Sequence, residues 1–144
     1  MIRRMEHSDL DAVLAIWLQG NIAAHHFVPA AYWEGHLDYM RGALPQADVW
    51  VYDVGERAVA FMGFDGDHLA GLFVGEGYRS RGIGHALLAH AKALHDSITL
   101  CVYEKNAHAL EFYRHEAFLI DSCRVDDATG ENEYMMRWNK YDRI

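Results

Sequence analysis

Apolar and polar positions repeat along the chain with two periods, near two and near 3.6 residues. Residues 2–5 read as a short strand. In "SDLDAVLAIWLQG", Leu10, Val13, Leu14 and Trp17 recur at helical spacing. Ser8 and Asp11 outline a capping box, with Asp where Glu or Gln is usual, and Gly20 stands as the stop signal. "PAAYWEGHLDYMRGAL" predicts a second helix with Pro29 at an early position. "DVWVYDV" and "AVAFMGF" predict strands joined by a hairpin at Gly55-Glu56-Arg57. A third strand, "DHLAGLFVG", follows the Asp65-Gly66 turn. Residues 82–96 carry one apolar helical stripe of Ile83, Leu87, Leu88, Ala91 and Leu94. "SITLCVY" is a short apolar strand, and "NAHALEFYRHE" is a helix with Asn106 at its N-cap. "AFLIDSCRV" and "NEYMMRW" end the pattern as two strands around a polar turn at 126–132. The order is β-α-α-β-β-β-α-β-α-β-β. Strand, helix and strand over 69–103 imply a locally parallel pair inside a mixed sheet, an α/β (α+β) architecture.

Composition narrows the classes. The 144 residues suit one domain over 1–144 with a real core. A formal net charge of −8 argues against a general nucleic-acid binder, which needs a basic face, and is compatible with a cationic small molecule or a basic peptide. No window holds 18 uninterrupted apolar residues, so no membrane span is expected. "MIRRMEHSDLD" has charge without an apolar run behind it, so a secretory signal is not expected and the reading is cytoplasmic. The two cysteines, Cys101 and Cys123, lie in strand-like runs without a C-x-x-C and read as small buried apolar residues.

The most informative stretch is "FVGEGYRSRGIGHALLAHAKAL", residues 73–94. An apolar strand runs into Arg79, Ser80, Arg81, Gly82, Ile83, Gly84 and His85, and a helix runs out. The first amides of a helix lack internal partners and sit at the positive end of its dipole. Glycines at 82 and 84 leave those amides open, and two arginines add charge-assisted donors. The loop suits a phosphate or pyrophosphate; the alternative is a glycine turn with two solvated arginines. A Rossmann G-x-G-x-x-G fails at Leu87, and a Walker A loop fails because Ile83 and Gly84 stand where Lys and Ser/Thr are required.

"RSRGIG" resembles the Q/R-x-x-G-x-G/A motif of the GCN5-related N-acetyltransferases (GNAT). "NAHALEFYRHEAF" resembles that family's N-x-x-A-x-x-F/Y-Y-x-x-x-G-F segment through Asn106, Ala109, Phe112, Tyr113 and Phe118, with Ala117 in place of the usual glycine. The element order is similar over almost the whole chain. "TLCVYEKN" and "HHFVPAAYW" resemble small bacterial members that acetylate lysine or other primary amines. The resemblance implies a GNAT fold: a mixed, mostly antiparallel sheet of six or seven strands flanked by about four helices, splayed between strands 4 and 5. It also implies acetyl-CoA as co-substrate, with direct attack in a ternary complex.

By that resemblance the amides of Arg79 to Gly84, with His85, take the pyrophosphate. The edge at Leu72, Phe73 and Val74 pairs with the pantetheine arm, and a Val74 N–H polarises the thioester carbonyl. Asn106, besides capping its helix, lies near the same arm. Tyr113 is the candidate acid for the leaving thiolate; its bland reading is a core aromatic. The base is open. The Glu of a Leu-Glu-Val strand in several relatives is here Cys101, a poor base, so Glu104, His25, His26 or a water chain are the alternatives. His25, His26, Phe27, Tyr32, Trp33 and Tyr103 are candidates for an acceptor site that receives an amine by cation–π contact; packing against the sheet is the competing reading for Phe27 and Trp33. The ten histidines show no metal-ligand spacing, so no metal is expected. An acyl-CoA sensor without turnover is the alternative function. The state is monomer or homodimer.

Overall fold

The computed structural model describes residues 1–142. Seven strands form one sheet in the order β1-β2-β3-β4-β5-β7-β6. They are β1 (Ile2–Arg4), β2 (Asp48–Val54), β3 (Arg57–Asp65), β4 (His68–Val74), β5 (Ser97–Tyr103), β6 (Leu119–Val125) and β7 (Asn132–Asn139). Neighbours are antiparallel except β4 and β5. Five helices flank the sheet: α1 (Leu10–Ala24), α2 (Ala30–Glu34), α3 (Leu37–Ala43), α4 (Ile83–Leu94) and α5 (Ala107–His115). The seven-stranded, mostly antiparallel sheet and the parallel β4–β5 pair follow the expected GNAT architecture.

Each face of the sheet carries its own apolar cluster. Leu87, Leu88 and Ala91 of α4 pack with Ile98, Leu100, Val102, Tyr113, Phe118 and Met136. Leu10, Val13, Leu14 and Trp17 of α1 pack with Val28, Trp33, Val49, Val51 and Phe61 on the other side. β3 is therefore buried at every position from Ala58 to Phe64. Each fully buried Leu or Phe contributes about 2 kcal/mol relative to exposure. The hairpins follow local rules: Val54 pairs with Arg57, and Gly55 and Glu56 both take positive φ (58° and 68°), as a two-residue type I′ turn requires.

Four local expectations are corrected. Gly20 does not stop α1, which runs on to Ala24. A Cβ at Gly20 would stand 2.6 Å from Cδ1 of Phe73, so this glycine lets the helix approach β4. The Ser8–Asp11 box gives way to a 3₁₀ turn at His7–Asp9, where the Glu6 N–H donates to the Asp9 carboxylate. Asp9 is buried and accepts two bonds from the Arg3 guanidinium, which also reaches Asp53. The single helix expected from Pro29 splits into α2 and α3: the His36 N–H reaches Trp33 rather than Tyr32, a tightened turn at Gly35 that redirects the axis. The cysteines are not both buried: Cys101 is half-buried and Cys123 is exposed. Its strand, β6, lies at the sheet edge and is exposed at every residue.

The last strand pair begins at Leu119 because Ala117 takes φ +71°. That left-handed conformation costs a non-glycine residue about 1 kcal/mol. It is held by the Ala117 N–H to Arg114, the Phe118 N–H to Tyr113, and the Lys92 ammonium on the Glu116 carbonyl. Ala117→Gly should raise the thermal midpoint by about 2 °C, since the relieved strain exceeds the added unfolded-state entropy by a few tenths of a kcal/mol. Arg3→Met should lower unfolding free energy in urea by about 2 kcal/mol at pH 7, because it strands the buried Asp9 carboxylate. Arg3 holds that carboxylate below its usual range, so the difference should shrink as pH falls below about 4.

Candidate active site

β4 and β5 run parallel but pair in register only at His68 and Thr99. The His68 Nδ1 and Thr99 Oγ1 lie 2.9 Å apart, and the Thr99 N–H donates to Asp67 at 3.1 Å. Beyond that point the two edges diverge. The Gly75 N–H donates to Val59 on the β3 side. Strand alternation therefore turns the N–H and C=O of Val74 the other way, into the gap. The Val74 carbonyl is already used there, accepting from Arg79 Nε at 3.1 Å. Arg79 thus ties the loop back to the strand instead of standing free in solvent.

At the open end of the gap, α4 starts at Ile83 without a side-chain cap. Gly82 has φ +80° and nothing within 4 Å of where a Cβ would stand, and no N-cap side chain accepts from the first turn, whose amides have no partner inside the helix. Ser80 shares the left-handed region at φ +62°, and Arg81 leans over the Tyr78 ring at 5.5 Å. Gly84 has a different reason for being glycine: a Cβ there would meet Cζ of Phe112 at 3.1 Å, so it sets the distance between α4 and α5. The His85 side chain faces Glu116 at 2.9 Å, leaving its backbone as the part in the helix start. Open amides beside two arginines, next to unpaired strand edges, fit an anionic, extended ligand such as acetyl-CoA.

Tyr113 sits on the α4–α5 face, buried against Phe112 and Phe118 with ring centroids 5.2 and 5.5 Å away. Burial alone pushes its phenol well above the usual value, so it is protonated throughout the physiological range. Glu104 is exposed and accepts from the Tyr134 hydroxyl at 3.1 Å. Tyr103, its neighbour in sequence, packs with the opposite cluster.

On that opposite face the predicted acceptor residues form one aromatic group. The His25 ring lies 5.0 Å from Tyr103, 5.3 Å from Trp33 and 5.7 Å from Phe27. Tyr32 meets Trp33 at 4.9 Å, edge to face. His26 touches Phe27 but is exposed. Two contacts escape sequence reasoning. The Tyr103 hydroxyl donates to Asp126 at 2.5 Å, and the Asn106 amide lies 3.3 Å from His25 Nε2. These partners are 23 and 81 residues apart, so no periodicity announces them. Burial holds the His25 imidazole down at about 4, so it is neutral at pH 7. Among the described residues no three His, Cys, Asp or Glu side chains converge as a metal set, and no helix is long and apolar enough to cross a membrane.

A family model for the acetyltransferase (GNAT) domain matches residues 45–118. The chain is 34% identical over 140 residues to the peptidyl-lysine N-acetyltransferase YiaC of Escherichia coli (strain K12), covering 96% of each. It is 36% identical over 129 residues to the peptidyl-lysine N-acetyltransferase YjaB of the same organism, covering 88% of this chain and 87% of that one. The solution structure of apo YjaB from Escherichia coli superposes with a TM-score of 0.85 at 31% identity, covering 95% of both chains. The chain belongs to the GNAT acetyltransferase family. It is an enzyme, an acetyltransferase whose acetyl donor is acetyl-CoA.

A pH measurement checks the His25 environment. Between pH 6.5 and about 4 the unfolded chain binds a proton at this residue that the folded chain refuses. Stability should fall as pH drops through that window, and His25→Gln should lose about 1–2 kcal/mol less than wild type between pH 7 and pH 4.5 by urea unfolding.

Proposed function

We propose that this acetyltransferase modifies the ε-amino group of lysine in proteins or peptides, by direct attack on acetyl-CoA in a ternary complex. The observation that supports the reading is the divergence of β4 from β5 past His68 and Thr99, with Tyr113 in the apolar cluster on one face of the sheet and Phe27, Trp33 and Tyr103, which surround His25, in the cluster on the other. The peptidyl-lysine transferase names of YiaC and YjaB support the acceptor class.

In this reading the amides from Arg79 through Gly84, the Ser80 and Ile83 backbone, and the His85 backbone hold the pyrophosphate, helped by the Arg81 guanidinium. The Leu72–Val74 edge takes the pantetheine arm as an added strand, with Asn106 beside it. The inward Val74 N–H donates to the thioester oxygen as negative charge develops there. A neutral lysine amine forms the new C–N bond, the C–S bond breaks, and the Tyr113 hydroxyl gives its proton to the departing thiolate. Burial keeps the Tyr113 phenol protonated and ready to donate but also makes it a weaker acid, so its proton moves only as the C–S bond breaks and is replaced by the proton that the amine loses. His25 is a poor base: it is neutral, but its Nε2 faces the Asn106 amide. Glu104, exposed in the turn just after β5, takes the amine's proton through water. The aromatic wall and His26 receive the lysine stem and its ammonium before deprotonation.

The test uses acetyl-CoA and a peptide with a blocked N-terminus and one central lysine, followed by thiol release and peptide mass. Transfer to the lysine, and none to the same peptide with the lysine blocked, is the expected result; no transfer to any lysine peptide sinks the acceptor assignment. Tyr113→Phe should lower kcat by about 100-fold while acetyl-CoA affinity stays within about twofold. Glu104→Gln, acting through solvent, should lower kcat by no more than about fivefold.

A further inference from the structure

The two binding regions meet through one side chain pair. Asn106 accepts the Ala109 N–H at its Oδ1, 3.2 Å, and so caps α5. That fixes which end of the amide is left: Nδ2 points at His25 Nε2, 3.3 Å away. An amide nitrogen only donates, so Nε2 must be the bare nitrogen and Nδ1 must carry the proton. His25 is the C-cap of α1 and opens the turn that leads into α2, with the Val28 N–H donating to its carbonyl. Its ring is buried, and Nδ1 finds no partner among the described residues. The groups around it are Phe27, Trp33, Tyr103 and Asn106; the charges attached to them are Asp126, through the Tyr103 hydroxyl, and Lys105, over Phe27 at 5.6 Å.

We infer that His25 is a positioning residue that carries donor occupancy to the acceptor wall: through the Asn106 amide its Nε2 locks the turn 25–29, and with it Phe27 and Trp33, to the start of α5. This rests on the placement of the pantetheine arm beside Asn106 in the function proposed above. An arm that fixes the Asn106 side chain fixes the direction of its Nδ2–H, and the bare Nε2 then has one orientation that satisfies it. The acceptor wall is ordered when the donor is bound, without touching the donor.

Hydrogen exchange of the wild-type protein with CoA alone tests the coupling, and no acceptor is needed. Saturating CoA should slow amide exchange in residues 25–34 by about tenfold in wild type. His25→Leu should abolish that slowing and weaken CoA binding by no more than about tenfold, the most that the lost coupling can cost. His25→Gln, whose Oε1 can accept where Nε2 did, should restore most of it. If His25→Leu proves unstable, Asn106→Ser keeps a capping oxygen, is too short to span the distance to His25 Nε2 and should give the same loss at saturating CoA. No slowing in wild type, slowing that survives His25→Leu, or failure of His25→Gln to restore it overturns the inference. The lysine assignment is decided separately by the peptide assay, so either can fail without the other.

Discussion

The structure depends on one interrupted ladder. Parallel strands normally satisfy each other's backbone along their length, yet β4 and β5 do so only near His68 and Thr99. Past that point two rows of backbone groups in the middle of a seven-stranded sheet lack a partner strand, and such groups are costly unless something pairs with them. Arg79 answers one, by donating to the Val74 carbonyl. In the proposed function the extended donor molecule answers others. Both sides of the sheet are buried by helices, so the break is reached from its open end and not from a bare face.

The same sheet divides the chemistry. Tyr103 ends β5 and Glu104 opens the turn after it, so these consecutive residues belong to different environments. Tyr103 joins the aromatic group with His25, Phe27 and Trp33, whereas Glu104 meets Tyr134. Tyr113 is fixed on the second face by α5, whose start is capped by Asn106 and whose end is held by Lys92 and the strained Ala117. A buried phenol and a buried neutral imidazole thus lie on the two faces of the sheet, each with its proton state set by desolvation.

Glycines show how differently one residue type is used. Gly82 takes a left-handed turn and leaves helix amides open; Gly84 makes room for Phe112; Gly20 makes room for Phe73. The first use is legible in a strand–turn–helix pattern, because it is local. The other two are not, because the neighbours that need the space come from α5 and β4. For that reason Gly20 reads as a helix stop in the sequence and is a packing site in the fold.

Local order was written in the chain itself. The strands, the helix starts at Ile83 and Ala107, the type I′ turn and the open amides before Ile83 follow from side-chain periodicity, capping and glycine, all of which act within a few residues. The motif around Arg79–Gly84 and Asn106–Phe118 pointed to the family for the same reason. Tertiary structure decided the rest: that Asp9 is a buried ion-pair partner, that the helix after Pro29 bends at Gly35, that Cys123 lies on an exposed edge, and that His25 faces Asn106. Each depends on groups distant in sequence meeting across a sheet, and burial and pairing at such distances leave no period in the residues that make them.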